Sequence, residues 1–405
     1  MASNKTKNWQ KVKLGDVCHQ ITDGVHNTVK DCVCGEYYLL SCKNIKNGQI
    51  VIGKDERRID ETTLQNLRKR TKTSRGDVLL SSVGTIGETA VIKDDFPNYE
   101  FQRSVAIFKP NKDYIISEFL FYSLNNNKKL LQHSAEGAVQ QCLFINPLKE
   151  FVILLPPLTI QKKIAGVLSA LDDKIELNNK INQNLEQQAQ ALFKSWFIDF
   201  EPFGGTMPTD WKIGIVDEII ELYDSKRIPL SSNQREKMAK LYPYYGATSL
   251  MDYVDEYIFD GKYLLLGEDG TVIDDQGFPI LQYVWGKFWV NNHAHIMRGK
   301  NGFDVESLYL FFKQKNVKNI VTGAVQPKIN QANLKALSVT IPSGNIMNRF
   351  NKTIQPLFDL IRNKHEENTR LVQLRDTLLP KLMNGEIDVS QVDISKEIAD
   401  NAINL

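Results

Sequence analysis

Two clusters of residues carry side chains able to do chemistry. Cys18, Cys32, Cys34 and Cys42 stand close together with His19 and His26 near the start of the chain. A structural zinc would need ligands paired at short, regular spacing, but one Cys-x-Cys pair occurs and no Cys-x-x-Cys. Reduced, buried cysteines are the expectation, in a reducing compartment rather than a disulfide scaffold. His293 and His295 are alternate residues with Asn291 and Asn292 beside them, and no carboxylate or cysteine stands at ligand spacing. A polar face of a strand is expected there.

Other chemistry lacks its residues. Methyl transfer to a flipped adenine would call for an Asn/Asp-Pro-Pro-aromatic loop, and Asn146-Pro147 is followed by Leu148. No glycine-rich loop follows a strand and opens a helix, so S-adenosylmethionine and dinucleotides are not indicated. Every Gly-Lys pair is followed by Asp, Tyr, Phe or Asn, so there is no phosphate loop for ATP. Asp172-Asp173-Lys174, the nearest acidic-x-Lys of a nuclease, falls within a helical pattern. The chain is expected to be no enzyme by itself, to hold no metal and to bind no cofactor.

The sharpest electrostatic feature is the run Arg68-Lys69-Arg70-Thr71-Lys72-Thr73-Ser74-Arg75, read as a surface loop placed to meet phosphates. Net charge over the whole chain is only +2. Its distribution is uneven, with 22 Lys+Arg against 17 Asp+Glu in residues 1–155 and 15 against 16 in residues 204–342. A DNA reader needs local basic surface rather than a basic average, so composition permits DNA binding without requiring it.

The elements that would position such residues follow from an internal repeat. Gly137-Ala138-Val139-Gln140 recurs as Gly323-Ala324-Val325-Gln326, and the same ungapped offset carries Leu148-Lys149 onto Leu334-Lys335 and Pro156 onto Pro342. Near each start a tryptophan precedes an apolar, acidic, apolar pattern: Trp9, Leu14, Asp16, Val17 against Trp211, Val216, Glu218, Ile219. The ends of the unit match while the middles diverge. One scaffold carrying two different recognition surfaces is expected. In each copy a strand leads into a glycine turn, Asp77–Ser81 before Gly84–Gly87 and Tyr263–Leu266 before Gly267–Gly270. Phe119–Leu124 and Leu308–Phe312 are expected to be short helices closing the two cores.

A long heptad pattern follows each proline marker. Ile164, Leu168, Leu171, Ile175, Asn178, Asn182, Leu185, Ala189, Leu192 and Trp196 form the first seam; Phe350, Ile354, Leu357, Ile361, Lys364, Asn368, Leu371, Leu378 and Leu382 form the second. Polar residues interrupt both seams at matching places, Asn178 against Lys364 and Asn182 against Asn368, as in helices that pair in a fixed register. Two duplicated helices packed antiparallel would carry one globular half at each end. The fold class expected is α+β: two duplicated target-recognition domains joined by two long antiparallel coiled-coil helices, with pseudo-two-fold symmetry. The divisions are 1–157, 158–203, 204–342, 343–390 and a tail of 391–405.

At 405 residues the chain suits two or three domains with ordinary cores. No apolar run is long enough to span a bilayer, and the polar N-terminus shows no secretion signal, so a cytoplasmic protein is expected.

Specific likeness to a known family sits after each globular half. Leu155-Pro156-Pro157-Leu158, Gln161, Leu171-Asp172, Lys174-Ile175-Glu176, Leu192–Phe197 and Phe200-Glu201-Pro202 resemble the central conserved region of type I restriction-modification specificity subunits. Leu374–Met383 and Gly385-Glu386-Ile387 look like the distal conserved region of that family. Ile160 departs from the usual Glu, and the entry to the second helix is reduced to Ile341-Pro342-Ser343-Gly344. The resemblance implies two readers of a split double-stranded DNA site. It implies two methyltransferase subunits clamping the helices and ATP-driven restriction/translocase subunits added for cleavage, with S-adenosylmethionine, ATP and Mg bound by those partners. A coiled-coil adaptor for other proteins and an enzyme with a divergent site are the competing readings.

Loops at strand ends supply the DNA-side candidates: Lys43, Asn44 and Lys46; Arg68, Lys69, Arg70 and Lys72; Ser81, Ser82 and Thr85; Gln102 and Arg103; Gln140 and Gln141. In the second half these are Lys226, Arg227, Thr248, Ser249, Glu268, Asp269, Asn291, Asn292, Gln326 and Lys328. Leu168, Leu171, Ile175, Leu185, Leu192, Trp196, Leu357, Ile361, Leu371 and Leu378 are the candidate docking residues for partner subunits.

Overall fold

The computed structural model describes residues 9–135, 137, 141–323 and 325–392. Gln140, Ala324 and most of the tail therefore lie outside the described residues. The chain forms two compact units, residues 1–176 with 368–405 and residues 177–367, so that each unit takes part of both long helices.

In the first unit, a four-stranded sheet runs in the order Cys18–Asp23, Val105–Pro110, Val78–Ser81, Thr89–Val91. Alternation along its central strands explains why both faces are covered. Val78, Leu80, Ala106 and Phe108 point into one core, with Phe119 and Leu120 of the helix Ser117–Asn126 and with Ile164 and Leu168 of the first long helix. Leu79, Val105 and Ile107 point into the other, against Leu40, Tyr99 and Phe101. A second sheet pairs Tyr37–Leu40 parallel to Tyr99–Phe101, and Gln10–Lys13 pairs with Val152–Leu155 as a separate ribbon.

The second unit repeats that plan. Its four-stranded sheet is ordered Ile220–Leu222, Ala294–Gly299, Tyr263–Gly267, Leu281–Val284. Leu264, Leu266 and Met297 face a core with Leu308, Phe312 and Phe350, whereas Leu265, Ile296 and Ala294 face Phe259 and Phe288. Tyr242–Tyr245 lies parallel to Lys287–Val290, and Lys212–Ile215 pairs with Ser338–Ile341. The expected helices are present as Ser117–Asn126 and Val305–Gln314.

Each long helix is continuous, Leu158–Phe197 and Gly344–Met383. Gln161, wholly buried, fixes the start of the first: its amide donates to the Tyr114 and Pro156 carbonyls at 2.8 and 2.9 Å and accepts from the Ile116 N–H at 3.1 Å. Within the first unit, Ile164 and Leu168 share a core with Leu378, Leu382 and Met383, and Arg375 bonds Asp172 at 2.8 Å. Within the second, Phe193 and Phe197 stack edgewise on Phe350. No described helix is long and apolar enough to cross a membrane.

Candidate nucleic-acid interface

Five chain segments of the first unit are tied together at one end of its central sheet. Ser82 N–H donates to the Ser104 carbonyl and Leu143 N–H to the Ser82 carbonyl, both at 2.9 Å, while Val83 bridges Cys142. Gln102 N–H donates to Leu40 at 2.8 Å, Arg103 N–H to Val25 at 3.0 Å, and Cys42 N–H to the Ser104 hydroxyl at 3.1 Å. Gly84 and Gly87, at φ 72° and 93°, make the turn that a Cβ-bearing residue would resist. Exposed at this end are Lys43, Lys46, Thr85, Arg103 and Gln141, with Gln102 half-buried.

The second unit closes the same end with the same bonds. Glu268 N–H donates to the His293 carbonyl at 2.9 Å, Asn291 N–H to Tyr245 at 3.0 Å, and Asp269 bridges Lys328. Lys226, Thr248, Ser249, Asn292, Gln326 and Lys328 are exposed there. The candidates from separate loops of each half are thus brought together at one end of each unit.

Several candidates take a structural part instead. Asn44 is buried, its Oδ1 accepting from Ser41 N–H at 2.9 Å and its amide donating to the Val51 carbonyl at 2.9 Å. Ser81 and Ser82 are buried, and the Ser81 hydroxyl bonds the Thr85 carbonyl and Glu88 N–H inside the turn. Asn291 is buried and accepts from His293 N–H at 2.8 Å. The basic run is a loop only in its second half, residues 72–75. Its first half closes the helix Glu61–Thr71, capped by Asp60, and Lys72 follows in the left-handed region. Arg68 reaches the buried Glu100 and the Pro97 carbonyl, and Arg70 holds Asp23 and the Gly24 carbonyl. Lys69 and Lys72 remain at the surface.

The histidines also depart from expectation. His293 lies in the loop before Ala294–Gly299, and His295, inside that strand, is wholly buried. His295 Nδ1 meets Asp224 at 2.6 Å and Nε2 the Ile329 carbonyl at 2.7 Å. Asp224 also accepts from Ile296 N–H at 2.8 Å and Gln331 at 2.6 Å. Glu268 is paired with Arg227 at 2.5 Å and Lys328 at 3.1 Å. Asp224, Glu268 and His295 put ligand-type atoms within 4.8 Å of one another. Arg227, Lys328 and Gln331 already engage those same carboxylates, which makes the cluster an ion-pair network. Burial alone would raise the Asp224 carboxyl, but His295, the Ile296 amide and Arg227 outweigh it and hold it below the usual range. Glu268 is lowered in the same way against its burial, through Arg227, His295 and Lys328. Sequence spacing could not show this network, because its members come from four separate segments.

Among the cysteines only Cys18 is buried, and burial pushes its thiol up to about 12; Cys34 is exposed. The docking candidates Leu168, Leu185 and Ile361 are buried within their own units, and Leu192, Trp196, Leu357 and Leu378 pack partly against those cores. Leu171, Ile175 and Leu371 are half-buried. Leu177, Leu360 and Leu374 are the large apolar side chains that the long helices expose, off the seams that the heptad reading followed. Also missed was the exposed apolar run of strand Leu250–Val254, where Leu250, Met251 and Tyr253 reach solvent directly after Thr248-Ser249.

A duplicated α+β unit whose loop ends gather polar side chains, with a long helix after each copy, defines a class of paired recognition modules. Residues 6–187 and 208–373 match the sequence model of the type I restriction modification DNA specificity domain, and the chain belongs to that family. It is 28% identical to the MjaIX specificity subunit of Methanocaldococcus jannaschii, with 95% of each chain covered. It is 26% identical to the HindI specificity subunit of Haemophilus influenzae, over 77% of this chain and 87% of that one. The crystal structure of the type I restriction-modification S subunit from M. genitalium shares the fold, at a TM-score of 0.58 and 18% identity over 94% of this chain and 97% of that one.

Proposed function

We propose that this chain is the non-catalytic DNA-reading subunit of a type I restriction-modification complex. Each unit reads one half of a bipartite duplex site through its gathered loops, with the first reader spanning 1–157 and the second 204–342. Exposed Lys43, Lys46, Lys226 and Lys328 supply phosphate contacts, and Arg103, Gln141, Asn292 and Gln326 supply groups for base edges. Leu250 and Met251 add apolar contact of the kind a thymine methyl accepts. The observation that carries this reading is the matched backbone locking of both loop ends beneath unlike side chains, in a chain of this family. That is how one scaffold reads two different half-sites.

The long helices pair antiparallel in this account, related by a pseudo-two-fold axis, and set the distance between the readers. Two methyltransferase subunits dock on them, for which the outward Leu177, Leu360 and Leu374 are better placed than the buried seam. Restriction/translocase subunits join the full complex, and S-adenosylmethionine, ATP and Mg belong to those partners, in the cytoplasm where the DNA lies. A gel shift on random duplex under salt titration separates this reading from a protein adaptor. A reader loses affinity linearly in log salt with a steep slope, and an adaptor shows no such dependence.

A further inference from the structure

The His293–Asp269 pair has no counterpart in the first unit and no part in the buried network beside it. Three bonds fix His293 in place. Its N–H donates to Asn291 Oδ1 at 2.8 Å, its carbonyl accepts from Glu268 N–H at 2.9 Å, and its Nδ1 meets Asp269 Oδ1 at 2.6 Å. The imidazole nevertheless remains 46% exposed, against 20% for the Asp269 side chain. Asp269 is itself held, by its bridge to Lys328 and by the Gly270 N–H bond to the Pro327 carbonyl at 3.0 Å. A carboxylate can only accept, so Nδ1 carries the hydrogen of the pair, and in the neutral form of the ring Nε2 is then the acceptor atom. Among the described residues Nε2 has no partner. At the matching position of the first unit stands Ser104, whose carbonyl makes the equivalent backbone bond and whose hydroxyl is taken by Cys42 N–H at 3.1 Å. That side chain is turned inward where His293 is turned out.

We propose that His293 is a specificity-determining residue of the second reader, its Nε2 accepting from an exocyclic amino group on a base edge, with Asp269 the positioning residue that fixes its ring. The proposal rests on the reading that the loop ends bind DNA. Phosphate contact asks only for charge, whereas an acceptor atom held in one orientation selects among base edges, where amino groups are the donors of the major groove. Pre-ordering the ring also removes the entropy that a free side chain would lose on binding.

The test uses the full-length chain expressed with a type I methyltransferase subunit, with methylated sites mapped for the parent, His293→Ala, His293→Gln, Asp269→Ala and Asp269→Asn. His293→Ala should make one position of the second half-site degenerate, lowering discrimination there about tenfold, and leave the first half-site intact. Asp269→Ala should weaken the same position, and Asp269→Asn, which keeps an acceptor for Nδ1–H, should restore it. A uniform loss across all sequences with a shallower salt slope would make His293 a phosphate contact and overturn the proposal. Loss of the entire second half-site in both His293 variants would make the residue structural and overturn it too. An unchanged half-site would do the same. If the parent complex itself methylates no bipartite site, it is the DNA-reading function that fails, and the His293 variants show no difference to interpret.

Discussion

Ser82 of the first unit and Glu268 of the second donate the same backbone hydrogen bond, to Ser104 and to His293, yet their side chains sit in opposite surroundings. The Ser82 hydroxyl meets only the Arg103 carbonyl, at 3.4 Å, whereas around Glu268 stand Arg227, Lys328 and His295. Asp23 and Asp224 both precede a basic partner three residues on, His26 at 2.7 Å and Arg227 at 3.7 Å. His26 is exposed, whereas the Arg227 side chain is 13% exposed and also bonds the Ala294 carbonyl at 2.8 Å. Backbone bonds hold the end of the scaffold in both units, which leaves its side chains free to differ. Where the second unit gained charge, that charge had to be neutralised internally, because an unpaired ion in the interior is costly.

The largest effect should come from breaking that network. Arg227→Ala leaves Glu268 and Asp224 short of a partner and should cost the second unit about 3 kcal/mol. His26→Ala, at the matching place, removes a surface pair and should cost about 0.5 kcal/mol. Urea titration followed by tryptophan fluorescence reads the second unit through Trp196, Trp211, Trp285 and Trp289 and the first through Trp9. Equal costs for the two substitutions would remove the contrast between the ends.

Acid should act with opposite sign on Asp224 and Glu268 of the second unit and on Glu100 of the first. Asp224 and Glu268 are held below their usual values of 3.8 and 4.5, so the stability they contribute is present at neutral pH and is lost as pH falls below those values. Glu100 in the first unit is raised above 4.5 by burial, against the pull of Thr73, Thr71 and Arg68. Its contribution therefore grows as pH falls through the raised value and is complete below 4.5. Hydrogen exchange on the full chain, corrected for intrinsic rate, should show the second unit opening first on acidification. Simultaneous opening would mean that these carboxylates do not dominate.

Much of this molecule was legible before its structure. The repeat, the strand–glycine turn–strand units, the helices over Phe119 and Leu308 and the two long helices follow from periodicity and local turn chemistry, which are properties of neighbouring residues. What escaped depends on distant ones. The run ending in Arg75 looks like free charge because Glu100, Asp23 and the Pro97 carbonyl, which occupy Arg68 and Arg70, are far away in sequence. Asn44 and Ser81 are the local exceptions: their partners Ser41, Val51, Thr85 and Glu88 stand close by in sequence, in turns that hydrophobic periodicity does not register. His295 met its carboxylates only through the pairing of strands.

A smaller and purely geometric effect tests how the readers are spaced. Four residues inserted after Gln187 and four after Gln373 lengthen both helices by about 6 Å. At about 3.4 Å per base pair, the unspecified gap between half-sites should grow by one or two base pairs, with both half-sites unchanged. An active protein with an unaltered gap would mean that the helices do not set the spacing.

The central claim is that each unit reads its own half-site. Residues 1–157 exchanged for the corresponding segment of a relative with a different target, in complex with the methyltransferase, should yield a methylome in which one half-site changes and the other is retained. A change in both half-sites, or in neither, would contradict the account.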